Sequence, residues 1–312
     1  MSRISSIAPW LIAVFLLYFL FRYYPLNEVL VAASYVNFYA FSAYILLYFC
    51  YRAIVDSWSI QRTLNHFGIQ AGLSSILELR LASYLPMTLN AGVGQGAMIY
   101  LIKRRYKEPL AKVSSILLYV LIVDVYWVLT FAFLGSLLVG PEVVEHALLW
   151  WIRAVWIGAS LLLLGLFWFW RLPLTDARIK WIKARHLFHT LHKASLADYF
   201  RVMLWRLPLH CATSTYLYFL ALCFGTTIPF NKVVTLLPLT IAVEAIPITP
   251  AGIGTVQITA ILLFQNQVSG GPIASGQVTG AEIILAMSLL FTFAMYILKL
   301  IPGLIFWRKA IL

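Results

Sequence analysis

Acidic residues are scarce in this chain: eleven Asp and Glu stand against twenty-three Lys and Arg in 312 residues, and charged residues of both signs make up 11% of it. A soluble domain carries about a quarter charged residues, and no stretch here is polar and long enough to build a core in water. With 62% hydrophobic residues and a mean hydropathy of +0.88, the sequence describes an all-α integral membrane protein. Cysteine is scarce too. Cys50, Cys211 and Cys223 lie in apolar segments without CxxC or Cys/His spacing, which suggests neither a disulfide framework nor a zinc site and predicts small buried apolar side chains. Catalytic and nucleotide motifs are missing: there is no GxxxxGK[ST] phosphate loop, HExxH, GxSxG elbow or GxGxxG after a strand, and this argues against an ATP-driven pump. No cofactor or metal is implied. The formal charge of +12 does not point to nucleic acid, because the basic residues cluster in short loops between apolar runs rather than on a solvated face.

What is present is a set of apolar runs of about 20 residues, the length a helix needs to cross roughly 30 Å of hydrocarbon. Six are predicted as full spans: 8–24, 29–51, 113–139, 146–170, 196–224 and 281–307. The first is kept as a membrane helix rather than a signal peptide, since no small-residue cleavage site separates it from the second. Two further apolar segments, 72–102 and 233–264, are broken in the middle by a shared motif, LPMTLNAGVGQG at 85–96 and IPITPAGIGTVQ at 246–257. Pro86 matches Pro247, Thr88 matches Thr249, and Gly92 and Gly94 match Gly252 and Gly254, half a chain apart.

The basic loops set the topology. Lys103, Arg104, Arg105, Lys107 and Lys112 in one loop, and the cations of 171–195 in another, predict two cytoplasmic loops; Arg52 and Arg62, and the terminal Arg308 and Lys309, are placed on the same side. Glu142 and Glu145, without Lys or Arg beside them, are placed outside. On that count each broken segment must return to the face it entered, from opposite faces. The prediction is six full spans plus two re-entrant helical hairpins in an inverted repeat, 1–140 and 141–312, with both termini cytoplasmic. The competing reading is eight spans with Pro-kinked helices in a parallel repeat.

Pro/Gly-interrupted segments at matching positions of two halves point to a transporter-type site between them, because the freed backbone groups must face protein, water or a polar ligand. Candidate substrate-binding residues at the tips are Thr88, Asn90, Gly92, Gly94, Gln95, Thr249, Gly252, Gly254 and Gln257. Each Thr has a second reading, as a hydroxyl bonded back to its own helix. Ionisable residues inside apolar segments add Arg80, Asp124, Arg206, His210 and Glu244, with Glu78 beside them. Arg206 or Arg80 would meet a lipid phosphate, and Asp124 or Glu244 a proton or an amine. The plain alternative is an internal ion pair such as Asp124 with Arg206, which fixes packing and binds nothing. The run TDARIKWIKARHLFHTLHK reads as an interfacial helix on the cytoplasmic leaflet, with His186, His189 and His192 solvated beside anionic head groups rather than holding a metal.

The LPMTLNAGVGQG motif with its following basic loop, the span containing Asp124, and IPITPAGIG before the last span together resemble the flippase-like transmembrane domain of the lysylphosphatidylglycerol synthase superfamily. The resemblance covers most of the chain. It implies a bacterial inner-membrane protein that moves a lipid between leaflets, either a phospholipid or a polyprenyl-linked or glycosylated lipid, in the stand-alone form without the aminoacyl-transferase domain. Two positions depart from the pattern: Gln257 stands where an acidic residue is common, and Leu121 where an Arg is. Anionic phospholipid or a lipid-linked substrate would be the partner, with a homo-oligomer or a lipid-biosynthesis enzyme as further partners. The other functional classes are a non-transporting lipid-binding scaffold and a subunit of a lipid-modifying enzyme, for which Asp124, Glu244 and His210 could supply acid and base groups.

Overall fold

The structure is a computed structural model that describes residues 3–139, 146–171, 186–245, 249 and 252–311. The long elements are α1 (Arg3–Tyr23), α2 (Leu26–Ser34), α3 (Phe38–His66), α4 (Leu73–Leu89), α5 (Ala91–Tyr106), α6 (Leu110–Leu137), α7 (His146–Arg171), α8 (Leu196–Cys223), α9 (Phe230–Ala245), α10 (Thr255–Phe264) and α11 (Gly280–Ile311). The described strands are two residue pairs, β1 (Thr226–Thr227) and β2 (Ser269–Gly270). The chain is almost all helix. Four helices, α3, α6, α7 and α11, are long and apolar enough to cross a bilayer, or five spans result if α1 and α2 are joined as one bent pair.

The predicted span 29–51 is not one helix. Pro25, at φ −53 and ψ 138, precedes α2, and the axis turns 82° between α1 and α2. A second break follows at Asn37, whose side chain accepts from the Ala40 amide at 3.0 Å and starts α3. Hydropathy is continuous across both breaks, so counting apolar residues cannot see them. As a result α3 runs on to His66 and carries Arg52 and Arg62 on the helix instead of in a loop. The cysteine expectation is also corrected: Cys223 is buried, but Cys50 and Cys211 are exposed on the outside of the bundle. Glu142, Glu145 and the loop 172–185 lie outside the described residues.

Both broken segments fold as helical hairpins. In the first, Arg105 near the end of α5 bonds to Glu78 at 3.1 Å and to Ser75 at 3.4 Å, both near the start of α4, so the two outer ends lie together. The break falls at Asn90, not at Pro86, through which α4 continues. The second hairpin is closed at its base by β1 and β2, with Thr226 opposite Gly270 and Thr227 opposite Ser269, immediately before α9 and after α10.

Each hairpin packs against the long helix that follows the other one. Gly303 of α11 lies against the Leu85 backbone of α4, where an added Cβ would come within 2.7 Å of it. Gly135 of α6 lies against Thr235 of α9, where it would come within 2.4 Å. The helices preceding the hairpins, α3 and α8, pack on one another through Tyr44 Oη, which donates to the Tyr216 carbonyl at 2.9 Å, and Tyr51 Oη, which donates to that of Pro208 at 3.2 Å. His66 at the end of α3 meets Asp198 at the start of α8 at 2.7 Å, and Lys112 of α6 donates to the Gly68 carbonyl at 3.1 Å. These contacts bring the end of α3 together with the starts of α4, α6 and α8. Because Gly135 allows backbone contact between α6 and α9, we expect Gly135→Leu to cost about 1–3 kcal/mol through overpacking, seen as a lower melting temperature in detergent.

Candidate functional site

Five charged or ionisable side chains from four helices form one chain of contacts inside the bundle. Asp56 of α3 sits between two guanidinium groups, with Arg80 of α4 and Arg206 of α8 each at 2.5 Å. Arg206 continues to Asp124 of α6 in a two-pronged pair, Nε to Oδ1 and Nη2 to Oδ2, both at 2.6 Å. His210 Nε2, one turn beyond Arg206, lies 2.9 Å from Asp124 Oδ1. Ser59, one turn from Asp56 on α3, accepts from Arg206 Nη1 at 2.8 Å. Asp56, Arg80, Arg206 and His210 are buried, and Asp124 falls at the middle of α6. Pro208 lies between Arg206 and His210 and removes one backbone hydrogen bond from α8 there.

The arrangement is what a low-dielectric interior requires. An isolated charge costs several kcal/mol to bury, and planar, fork-shaped guanidinium groups recover that cost best against carboxylates. Arg206 has an acceptor at each of its three nitrogens, and four of its five N–H groups are used on Asp56, Asp124 and Ser59. Its charge is met by two carboxylates, and the Asp124 and Arg206 pairing is the internal one. Arg80 differs. Its Nη2 meets Asp56, but its Nε and Nη1 are buried with no hydrogen-bond partner among the described residues, and its guanidinium lies 5.5 Å from the centroid of the Tyr84 ring.

Two small cavities adjoin this network. One, about 50 Å³, is lined by Arg52, Asp56, Arg80, Tyr84 and Lys299 among others; the second, about 70 Å³, is lined by Tyr48, Arg52, Tyr216, Glu244, Tyr296 and Lys299. Arg52, Met295 and Lys299 belong to both walls. Among the described residues Arg52, Glu244 and Lys299 form no ion pair within 4 Å; Arg52 donates to Tyr48 Oη at 3.4 Å. A larger apolar groove of about 230 Å³ lies between α6, α7 and α8, lined by Ile122, Tyr126, Leu163, Phe167 and Met203. Its walls suit hydrocarbon.

The tip residues have mostly local work. Thr88 Oγ1 donates to the Leu85 carbonyl at 2.7 Å, the back-bonded reading. Asn90 caps α5 by accepting from the Gly92 amide at 2.7 Å. Gly94 is packed so close to Met87 that a Cβ would come within 2.5 Å of that side chain, while Gln95 is exposed. In the second hairpin Gly252 and Gly254 have φ of +73° and +89°, values that only glycine adopts without strain. Gln257 caps α10: its Oε1 accepts from the Gly254 amide at 2.7 Å and its Nε2 donates to Thr292 at 3.3 Å. Thr249 is buried beside Thr255, 3.3 Å between hydroxyls. Glu244 is the tip residue that opens to the cavity, with its Cγ 3.4 Å from the position a Gly252 Cβ would take. Pro247 and Pro250 lie outside the described residues. Of the histidine run, His189 and His192 fall in a short helix, His189–Lys193, and no group of three metal-binding side chains occurs among the described residues.

Sequence reasoning missed Asp56, Arg52 and Lys299. Arg52 and Asp56 were hidden by placing the end of α3 in a loop. Lys299 satisfies the rule that selected Asp124, an ionisable residue within an apolar span, and that rule was sufficient to find it.

A bundle of apolar helices enclosing two broken hairpins and a buried charge network defines a polytopic membrane protein with a polar interior. The chain belongs to the family described as the lysylphosphatidylglycerol synthase TM region, whose model matches residues 6–303. No curated protein matches it in a whole-sequence comparison. Membership gives the protein a role related to membrane lipids. We expect Asp56→Asn, which strips Arg80 of its carboxylate and Arg206 of one of two, to cost about 3–5 kcal/mol in unfolding measurements in detergent, against at most about 0.5 kcal/mol for Gln95→Ala.

Proposed function

We propose that the protein moves a polar-headed membrane lipid between leaflets through the centre that its two hairpins enclose. The observation that carries this reading is the cavity lined by Arg52, Glu244 and Lys299, set beside the tip of one hairpin and the charged face of the other. A structural ion network needs no cavity, and among the described residues Arg52, Glu244 and Lys299 line this one without closing to an ion pair within 4 Å. The apolar groove between α6, α7 and α8 supplies hydrocarbon surface for acyl chains while the head group passes through the polar interior.

In this proposal α1, α3, α6, α7, α8 and α11 cross the bilayer and the two hairpins enter from opposite faces, in halves 1–140 and 141–312. Two kinds of contact support it. The outer ends of each hairpin are tied together, by Arg105 and Glu78 in one and by β1 and β2 in the other, as a segment that returns to its own face requires. The exchange of partners, α4 with α11 and α9 with α6, is what a two-fold relation between the halves produces. The protein would lie in the inner membrane of a bacterium with both termini in the cytoplasm. A relative tilt of the halves would then expose the centre to one leaflet at a time.

The test is a proteoliposome assay in which fluorescent lipids of several head groups are challenged with an impermeant quencher. Wild type should render inner-leaflet lipid accessible, and Gly252→Leu, which forces a side chain into a left-handed backbone against Val256, should abolish the movement. No movement of any lipid by wild type, with or without a proton gradient, would sink the proposal in favour of a lipid-binding scaffold. The topology is checked separately, in a background with the three native cysteines replaced. Lys107→Cys should label only from the cytoplasmic face and Ser275→Cys only from the opposite one; labelling of both from one face overturns the inverted arrangement.

A further inference from the structure

The charges around the central cavity are unequal, and that imbalance identifies what belongs there. Arg52, Arg80 and Lys299 line the smaller cavity with Asp56, but both Asp56 oxygens are already engaged, one by Arg80 and the other by Arg206. Arg206 is in turn neutralised by Asp124. Glu244 remains, on the wall of the second cavity. Over the network and both cavity walls, four cations (Arg52, Arg80, Arg206 and Lys299) stand against three carboxylates (Asp56, Asp124 and Glu244), an excess of one positive charge. Two nitrogens of Arg80, a residue buried to all but 9% of its surface, have no acceptor among the described residues. Unpaired guanidinium donors in a membrane interior are costly, and an acceptor of negative charge removes that cost.

We propose that Arg80, Arg52 and Lys299 form a binding site for a phosphate group, with Arg80 Nε and Nη1 as its innermost donors. This inference rests on the translocation reading for its biological use, but the site itself does not. A tetrahedral phosphate oxyanion offers several acceptors at once, suiting a wall that carries an Arg80 guanidinium with unpartnered nitrogens, a second guanidinium and an ammonium. The cavities hold a head-group phosphate and not a whole lipid, so the acyl chains would remain outside the helices. Glu244 opposes a second negative charge further along the cavity, which favours a phosphate with a single charge, as in a phosphodiester. Arg206 is a positioning residue: it holds Asp56, which holds Arg80. The shared chemistry, phosphate, has two sources, a lipid head group and free phosphate.

The experiment is binding to the full chain in a neutral maltoside detergent, followed calorimetrically, with inorganic phosphate, a short-chain phosphatidylglycerol and a short-chain diacylglycerol as probes. The two phosphates should bind and the diacylglycerol should not. Arg52→Gln and Lys299→Gln break no ion pair, so both should stay monodisperse with an unchanged melting temperature and weaken phosphate binding by about tenfold each, the worth of a hydrogen bond to a charged group. Arg80→Gln should weaken it further. Arg105→Gln, which removes an exposed cation at the hairpin base, should leave binding unchanged. Tighter binding of phosphatidylglycerol identifies the lipid as the source, and tighter binding of inorganic phosphate identifies the free ion; either supports the site. Absence of phosphate binding, or equal binding by wild type and the Arg52 and Lys299 variants, overturns it. Failure of the two proposals is separable: translocation by wild type with phosphate binding that Arg52→Gln and Lys299→Gln leave unchanged removes the phosphate site and leaves transport, whereas binding lost in those variants without translocation by wild type does the reverse.

Discussion

Everything at the centre of this protein depends on how charge is held inside hydrocarbon. Asp56, reached by two guanidinium groups from different helices, is the pivot, because removing it would strand Arg80 and half-strand Arg206 in a medium that solvates neither. The pairing crosses α3, α4, α6 and α8 and therefore fixes the first hairpin against helices from both ends of the sequence. Apolar packing alone would not select these partners, since lipid tails satisfy a leucine as well as another helix does. Close backbone contact at Gly135 and Gly303 adds the shape match, and the ion network adds the register.

The two helix breaks raise the same problem for the backbone. A helix that ends inside an apolar bundle leaves amide and carbonyl groups without partners, and only protein, water or ligand can supply them. At the first tip Asn90 does so with its side chain; at the second Gln257 folds back on the Gly254 amide. Gln257 makes two hydrogen bonds as a neutral amide without adding a charge to the interior, and Glu244 supplies the negative charge near that tip.

Much of the architecture was legible. Long apolar runs give helices because a bilayer allows little else, and the paired Pro and Gly motifs located both breaks, although the first break fell at Asn90. Asp124, Arg206 and His210 were found because charge within a hydrophobic span is conspicuous, and they do meet. The bend at Pro25 and the cap at Asn37 were not found, for neither changes hydropathy. That one error concealed Asp56 and Arg52, since a charge assigned to a loop calls for no partner.

The sequence by itself determined that this is a helical membrane protein with two interrupted segments and several charges inside it, because composition and spacing respond directly to the thickness and polarity of the bilayer. Only the tertiary structure decided which charges cancel. Arg80 and Arg206 look alike in a sequence, yet Arg206 is held by two carboxylates with an acceptor at each nitrogen and Arg80 retains two buried nitrogens without a partner among the described residues. Pairing is a matter of a few ångströms between residues far apart in the chain, and the packing of helices sets those distances.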